Sequence, residues 1–204
     1  MKPEFPEIIE VLIEILKGEN KKYEYDMESK SIKLEKVLDS RLGFPLDYGF
    51  IPETLAGDGE CLDILVINEN RIAPGTIVKA RPIGVMEMSD DNGVDDKILG
   101  VNIDSKIESI EDLDHKELER ITNFFGLYKE LENPSIEIRG WQSKERAIEL
   151  IEKGREAFKK IPSAYLMSSI KEAEEEIRNG EVYSFKNNKE ALSFIDKIGK
   201  KRTS

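Results

Sequence analysis

Six consecutive residues, Asp58-Gly59-Glu60-Cys61-Leu62-Asp63, bring three carboxylates to the entrance of an apolar run, Leu62-Asp63-Ile64-Leu65-Val66-Ile67. An ionised Asp63 within such a run is costly to bury unless a cation or hydrogen-bond donors sit beside it. A solvated Asp-Gly turn explains Asp58 and Glu60 but not Asp63. Carboxylates converging on one strand entrance suit hard divalent cations, which prefer oxygen ligands. A second acidic stretch runs Ser89-Asp90-Asp91-Asn92-Gly93-Val94-Asp95-Asp96-Lys97. If Asn92-Gly93 makes a two-residue hairpin turn, Asp91 opposes Val94 and Asp90 opposes Asp95. A shared metal ion would turn that like-charge repulsion into coordination; by itself, the stretch reads as a solvated loop tip.

Other chemistries are excluded by what is scarce. His115 is the only histidine and Cys61 the only cysteine. Triads built on a histidine base and His-rich zinc sites are therefore disfavoured, and no intrachain disulfide can form. His115 itself lies in Asp112-Leu113-Asp114-His115-Lys116-Glu117, the solvated start of a helix, and Cys61 reads as a small apolar residue. Neither acidic stretch has the spacing of an EF-hand, and no Gly-rich loop precedes Lys-Ser or Lys-Thr. What is left is carboxylate, lysine and tyrosine: Lys22, Lys36, Lys97 and Lys129 for phosphate, Tyr48 and Tyr128 as hydroxyl donors. This set suits phosphoryl transfer to water, with Mg2+ the fitting ion for oxygen ligands and substrate phosphates. A net charge of -11 argues against nucleic acid or an anionic membrane as partner. With neither a secretory leader nor an apolar run long enough to cross a bilayer, the expected compartment is the cytoplasm.

The elements that must position these groups fall into two halves. Alternation predicts strands at 8–15, where Ile9, Val11, Ile13 and Ile15 share a face, at 22–26, where Lys22, Glu24 and Asp26 do, and at 31–38. In the last, Lys36 points where Ile32, Leu34 and Leu38 point, either as an edge lysine snorkelling to water or as part of a site. Further strands are expected at 62–67, 76–88 and 97–103, separated by the Pro74-Gly75 and Asn92-Gly93 turns. From Ser109 the period lengthens: Leu118, Ile121, Phe124, Phe125 and Tyr128 recur at helical spacing, and 144–160 forms a second amphipathic helix. Short strands followed by helices indicate an α+β fold, a small β-barrel with flanking helices. The 204 residues suffice for one well-buried domain, residues 1–162. Residues 163–204 are a charged appendage with two short helices, one starting near Ser169 and one at Asn187.

The series Glu14, Lys22-Tyr23-Glu24-Tyr25-Asp26, Phe44-Pro45-Leu46-Asp47-Tyr48-Gly49-Phe50-Ile51-Pro52-Glu53-Thr54-Leu55, Asp58 to Asp63, Arg81-Pro82-Ile83-Gly84-Val85, Asp90 to Lys97, Phe124-Phe125-Gly126-Leu127-Tyr128-Lys129 and Gly140-Trp141 resembles, in order, the family I soluble inorganic pyrophosphatases. The resemblance implies an OB-like barrel, Mg2+-dependent hydrolysis of pyrophosphate to two phosphates, and a homo-oligomer. It implies that Asp58, Asp63 and Asp95 bind a first metal, with Asp63 also touching a second. Asp90 and Asp95 would bind a substrate-associated ion, with Glu24 near another. Lys22, Lys36, Tyr48, Lys97, Tyr128 and Lys129 fall at phosphate-contacting positions, Glu14 at a supporting one, and Glu60 at the carboxylate that takes or orients the proton of the attacking water.

Several residues depart from the family pattern. The usual Asp-Gly-Asp-Pro turn is Asp58-Gly59-Glu60-Cys61 here, so the carboxylate beside the water is one methylene longer. Lys36 stands for an Arg and lacks its bidentate fork, and Phe44 stands for a common Tyr. Asn123 and Leu127 occupy positions where some bacterial members carry interface histidines, which leaves the order of the oligomer open. A different reading, a catalytically weak phosphate- or Mg2+-binding relative acting through its tail, rests on residues 163–204.

Overall fold

A computed structural model describes residues 5–26, 29–39, 42–69, 72–91, 93–130 and 136–160, with the side chains of 128–130 left out. The expected tail helices and the Asn92 half of the second turn lie outside the described residues.

The strands form a ring. Strand β1 (Ile9–Ile15) pairs antiparallel with β4 (Asp47–Ile51), β4 with β5 (Leu62–Ile67), and β5 runs parallel to β8 (Lys97–Asn102). β8 pairs antiparallel with the long strand β6 (Ile77–Asp90), whose first residues return to β1, with Ala80 opposite Ile9. Closure leaves the ring without a free edge. β6 serves several walls because it is long and irregular: its register against β8 shifts between Pro82 and Gly84, where proline cannot donate to the ladder. Its far end carries β7 (Gly93–Val94) and β9 (Glu137–Ser143). Helix α1 (His115–Glu130) and helix α2 (Lys144–Lys159) flank the ring, giving the expected α+β architecture.

The apolar runs of β5 and β8 are continuous because both faces are buried. Ile64, Val66 and Ile98 enter one cluster with Ala147 and Ile151 of α2. Leu65, Leu99 and Val101 enter the other, with Ile121, Phe124 and Phe125 of α1. Helical spacing on each helix thus matches one face of the strands it covers. β4 and β9 escape a reading by alternation. β4 is buried at every position and contains Gly49, where a Cβ would meet the Leu12 carbonyl oxygen at 1.9 Å. β9 is partly exposed, charged and interrupted by Gly140.

Outside the ring, β2 (Lys21–Asp26) and β3 (Ser31–Val37) form a two-stranded sheet. Here one expectation is corrected. Lys22 pairs with Lys36 but Tyr23 pairs with Leu34, so Glu35 is an extra residue in β3. This bulge reverses the alternation. Lys36 therefore lies on the face of its partner Lys22, with Glu24, rather than on the apolar side with Ile32 and Leu34.

Candidate functional site

Asp63 sits on β5 between buried neighbours, opposite Phe50 of β4. The turn that delivers Asp58, Glu60 and Asp63 is anchored by buried Thr54, whose hydroxyl donates to the Ile51 carbonyl (2.6 Å) and accepts from the Leu62 N–H (2.9 Å). Within the turn the Glu60 N–H donates to Asp58 Oδ1 at 3.0 Å, and Gly59 adopts φ +92°, a conformation that side-chain-bearing residues rarely take.

The cation that an intrastrand Asp63 requires is Lys97, from the start of β8. Its ammonium, 2% exposed, donates to both Asp63 Oδ2 and Asp95 Oδ1. Tyr48, buried on β4, donates its hydroxyl to the same Asp63 oxygen. The rings of Tyr48 and Phe125 each stand 5.9 Å from the ammonium. Burial by itself would favour the neutral amine, but the two carboxylates outweigh it and hold Lys97 charged, well above the ordinary lysine range. Burial, then repulsion from Asp63 and Asp95, pushes the Tyr48 phenol up, so it remains a donor. Burial also raises Asp58, with repulsion from Asp95 and Asp63 adding to it. Glu60 has one side open to solvent; desolvation by the site wall, then repulsion from Asp58, Asp63 and Glu24, pushes its carboxyl up to about 7.

The β2–β3 sheet supplies the rest. Lys22 is 2.5 Å from Glu35 and 3.2 Å from Glu24, and Lys36 is 3.6 Å from Glu35. Reading the sequence did not single out Glu35; only the bulge turns it between the two lysines. Glu14, 8% exposed, accepts the Tyr25 N–H at 2.6 Å. Burial, with smaller repulsion from Asp63 and Glu24, pushes it up to about 8. The fold thus favours protonated Glu14, and that contribution is complete below the ordinary value of 4.5 and lost as pH rises through 8. Metal-free protein should lose up to about 1.4 kcal/mol of stability per pH unit from this group between pH 5 and 8. Glu14→Gln should flatten that slope in chemical denaturation; equal slopes would mean that Glu14 is already ionised at pH 5.

The second acidic stretch differs from expectation. Ser89 pairs with Val94 and Asp90 with Gly93, so the turn falls one residue earlier, and Asp90 does not oppose Asp95. Asp90 stands at the end of β6, whereas Asp95 turns back to Lys97. Tyr128 and Lys129 are in α1, but their side chains lie outside the described residues. Among the described residues, no three of His, Cys, Asp and Glu are close enough to make a ready cage for an ion. The donor set is nevertheless all oxygen, with carboxylates grouped in ones and twos. That suits Mg2+, which keeps several waters and takes one or two carboxylates plus phosphate oxygens.

The closed ring of strands thus gathers carboxylates, lysines and a buried tyrosine, groups suited to phosphate chemistry. A family model described as inorganic pyrophosphatase matches residues 11–159. The inorganic pyrophosphatase of Saccharolobus solfataricus is 44% identical over 161 residues, 76% of this chain and 94% of that one. The inorganic pyrophosphatase of Haloferax volcanii is 40% identical over 161 residues, 76% of this chain and 91% of the relative. The crystal structure of inorganic pyrophosphatase from Thermus thermophilus matches with a TM-score of 0.73 at 35% identity, covering 77% of this chain and 94% of that one. The chain belongs to the inorganic pyrophosphatase family, and the OB-like barrel with flanking helices is the fold it shares with these relatives. No described helix is long and apolar enough to cross a membrane.

Proposed function

We propose that this protein hydrolyses inorganic pyrophosphate to two orthophosphates with Mg2+ as cofactor. The observation that carries the reading is the buried Lys97 ammonium between Asp63 and Asp95. This is a fixed charge arrangement that needs no reorganisation when a phosphate anion arrives. Asp58, Asp63 and Asp95 would hold one set of ions, and Asp90, Asp95 and Glu24 another. When bound, divalent ions neutralise phosphate oxygens and acidify water.

The protein's own groups do the rest. As the water oxygen bonds to phosphorus, Glu60 takes its proton; the bond to the bridging oxygen breaks, and the departing phosphate keeps the electron pair. A carboxyl near 7 is well matched to that proton transfer at neutral pH. Lys22, Lys36, Lys97 and Lys129 offset the charge that builds on the leaving phosphate, where stabilisation counts most. Tyr48 and Tyr128 supply hydroxyl donors, Tyr48 also orienting Asp63, and Glu14 backs the wall behind β2. Residues 1–162 form the catalytic unit, working in the cytoplasm as a homo-oligomer without nucleic-acid or membrane partners.

Phosphate release from pyrophosphate should require Mg2+ and stop on chelation; its absence in pure protein would defeat this reading. Glu60 is one methylene longer than the residue that the family resemblance implies at this turn. An ångström of misplacement can cost on the order of 10²-fold in rate. Glu60→Asp should therefore be tolerated or faster in initial rates at saturating Mg2+, whereas a tenfold fall would show that the longer arm is what the site requires.

A further inference from the structure

β6 is interrupted on both sides at one residue, Met88. Towards β9, Glu87 pairs with Gly140 and Met88 with Ile138, which leaves Arg139 as the bulged residue beside Gly140 at φ +106°. Towards β8, regular pairing begins only with Lys97 opposite Met86. The intervening Asp95 donates its N–H to the Met88 carbonyl at 2.9 Å. The Met88 N–H, which a continued ladder would pair with backbone, instead donates to the side chain of Asp96, at Oδ1, 3.0 Å away. Asp96 is 7% exposed. Arg139 closes the break from the other side: it donates to Ser89 Oγ (3.1 Å), the Met88 carbonyl (3.4 Å) and Asp96 Oδ1 (3.5 Å).

Asp95 and Lys97 share a face and are bonded to one another, while Asp96 between them points the opposite way, into this clamp. Bulges near active sites re-aim side chains, and an irregular segment stays aimed only if its backbone is tied. Asp96 supplies that tie, in the place of a ladder hydrogen bond. We propose that Asp96 and Arg139 are a positioning pair that sets the placement of Asp95 and Lys97 for hydrolysis. Neither touches the reacting atoms; they act through the backbone on either side of Asp96. The inference rests on the reading of Asp95 and Lys97 as site residues.

Three variants test it: Asp96→Ala, Arg139→Ala and Asp96→Asn, which keeps an acceptor for the Met88 N–H. Each is compared with wild type for kcat, for the KM of pyrophosphate, and for Mg2+ affinity by calorimetry without substrate. Asp96→Ala should lower kcat by about tenfold or more, since small displacements in a site are costly, and weaken Mg2+ binding in protein that remains folded. Arg139→Ala should do the same to a lesser degree, and Asp96→Asn should recover kcat to within about threefold of wild type. A purely structural pair would lower the unfolding temperature and leave kcat and Mg2+ affinity unchanged, which would overturn the proposal. If Asp96→Ala does not fold, Arg139→Ala decides by the same readings. Inactive wild type in the same assay would overturn the proposed function, whereas active wild type with unchanged variants overturns the positioning pair alone.

Discussion

Asp63→Asn should leave about a thousandth of wild-type pyrophosphate hydrolysis in a protein that still folds. The two side chains have the same shape, so Asn can accept the Tyr48 hydroxyl and keep the β5 position opposite Phe50. What goes is the charge. Lys97 is left with Asp95 as its remaining anionic partner, and on the proposed mechanism a divalent ion would lose a carboxylate ligand. Losing about 4 kcal/mol of transition-state stabilisation corresponds to about 10³ in rate. The stability cost is smaller, because Asp63 also repels Glu14, Asp58 and Glu60. The same relief should lower the Glu60 and Glu14 pKa values, seen as a downshift of carboxyl titration by NMR. Rates near wild type for Asp63→Asn would remove Asp63 from the machinery.

Lys97→Met has the largest expected effect on the fold. A methionine fills the same volume but leaves the Asp63 and Asp95 carboxylates facing one another without the ammonium. Breaking a buried ion pair from one side costs about 3–5 kcal/mol, a large share of a domain's total stability. Metal-free Lys97→Met should therefore unfold at a markedly lower denaturant concentration than wild type. Mg2+ should restore part of the loss, since an ion that binds the native state alone stabilises it by mass action. Hydrolysis should remain at least about 10²-fold down, because on the proposed mechanism the lysine also offsets leaving-group charge. Denaturation with and without Mg2+ checks both; a loss that Mg2+ does not reduce would contradict cation binding by these carboxylates.

Much of this site was legible from residue types. An acidic residue inside the run Leu62–Ile67 demanded a positive neighbour, and the structure supplies Lys97. Alternation located β1, β2 and β3, runs bounded by turn signals located β5, β6 and β8, and helical spacing located α1 and α2; β5 and β8 are buried on both faces, and each helix commits one face to the core. β4 and β9 were not read from pattern, the first being buried throughout around a glycine and the second an irregular, partly exposed strand.

What alternation could not show is where it breaks. The extra residue at Glu35 moves Lys36 to the Lys22 face and brings Glu35 between them, and the pairing of Asp90 with Gly93 separates Asp90 from Asp95. Arg139 reaches Asp96 from a strand far away in the chain through two interruptions of the ladder at Met88. A strand's period of two is a local property, so the sequence by itself determined which chemical groups exist and which elements carry them. Bulge position, register and ring closure are settled by hydrogen bonding and packing between distant segments. Those are what decided that Asp58, Asp63, Asp95 and Lys97, first seen as an acidic turn and a separate loop, share one mouth of the barrel.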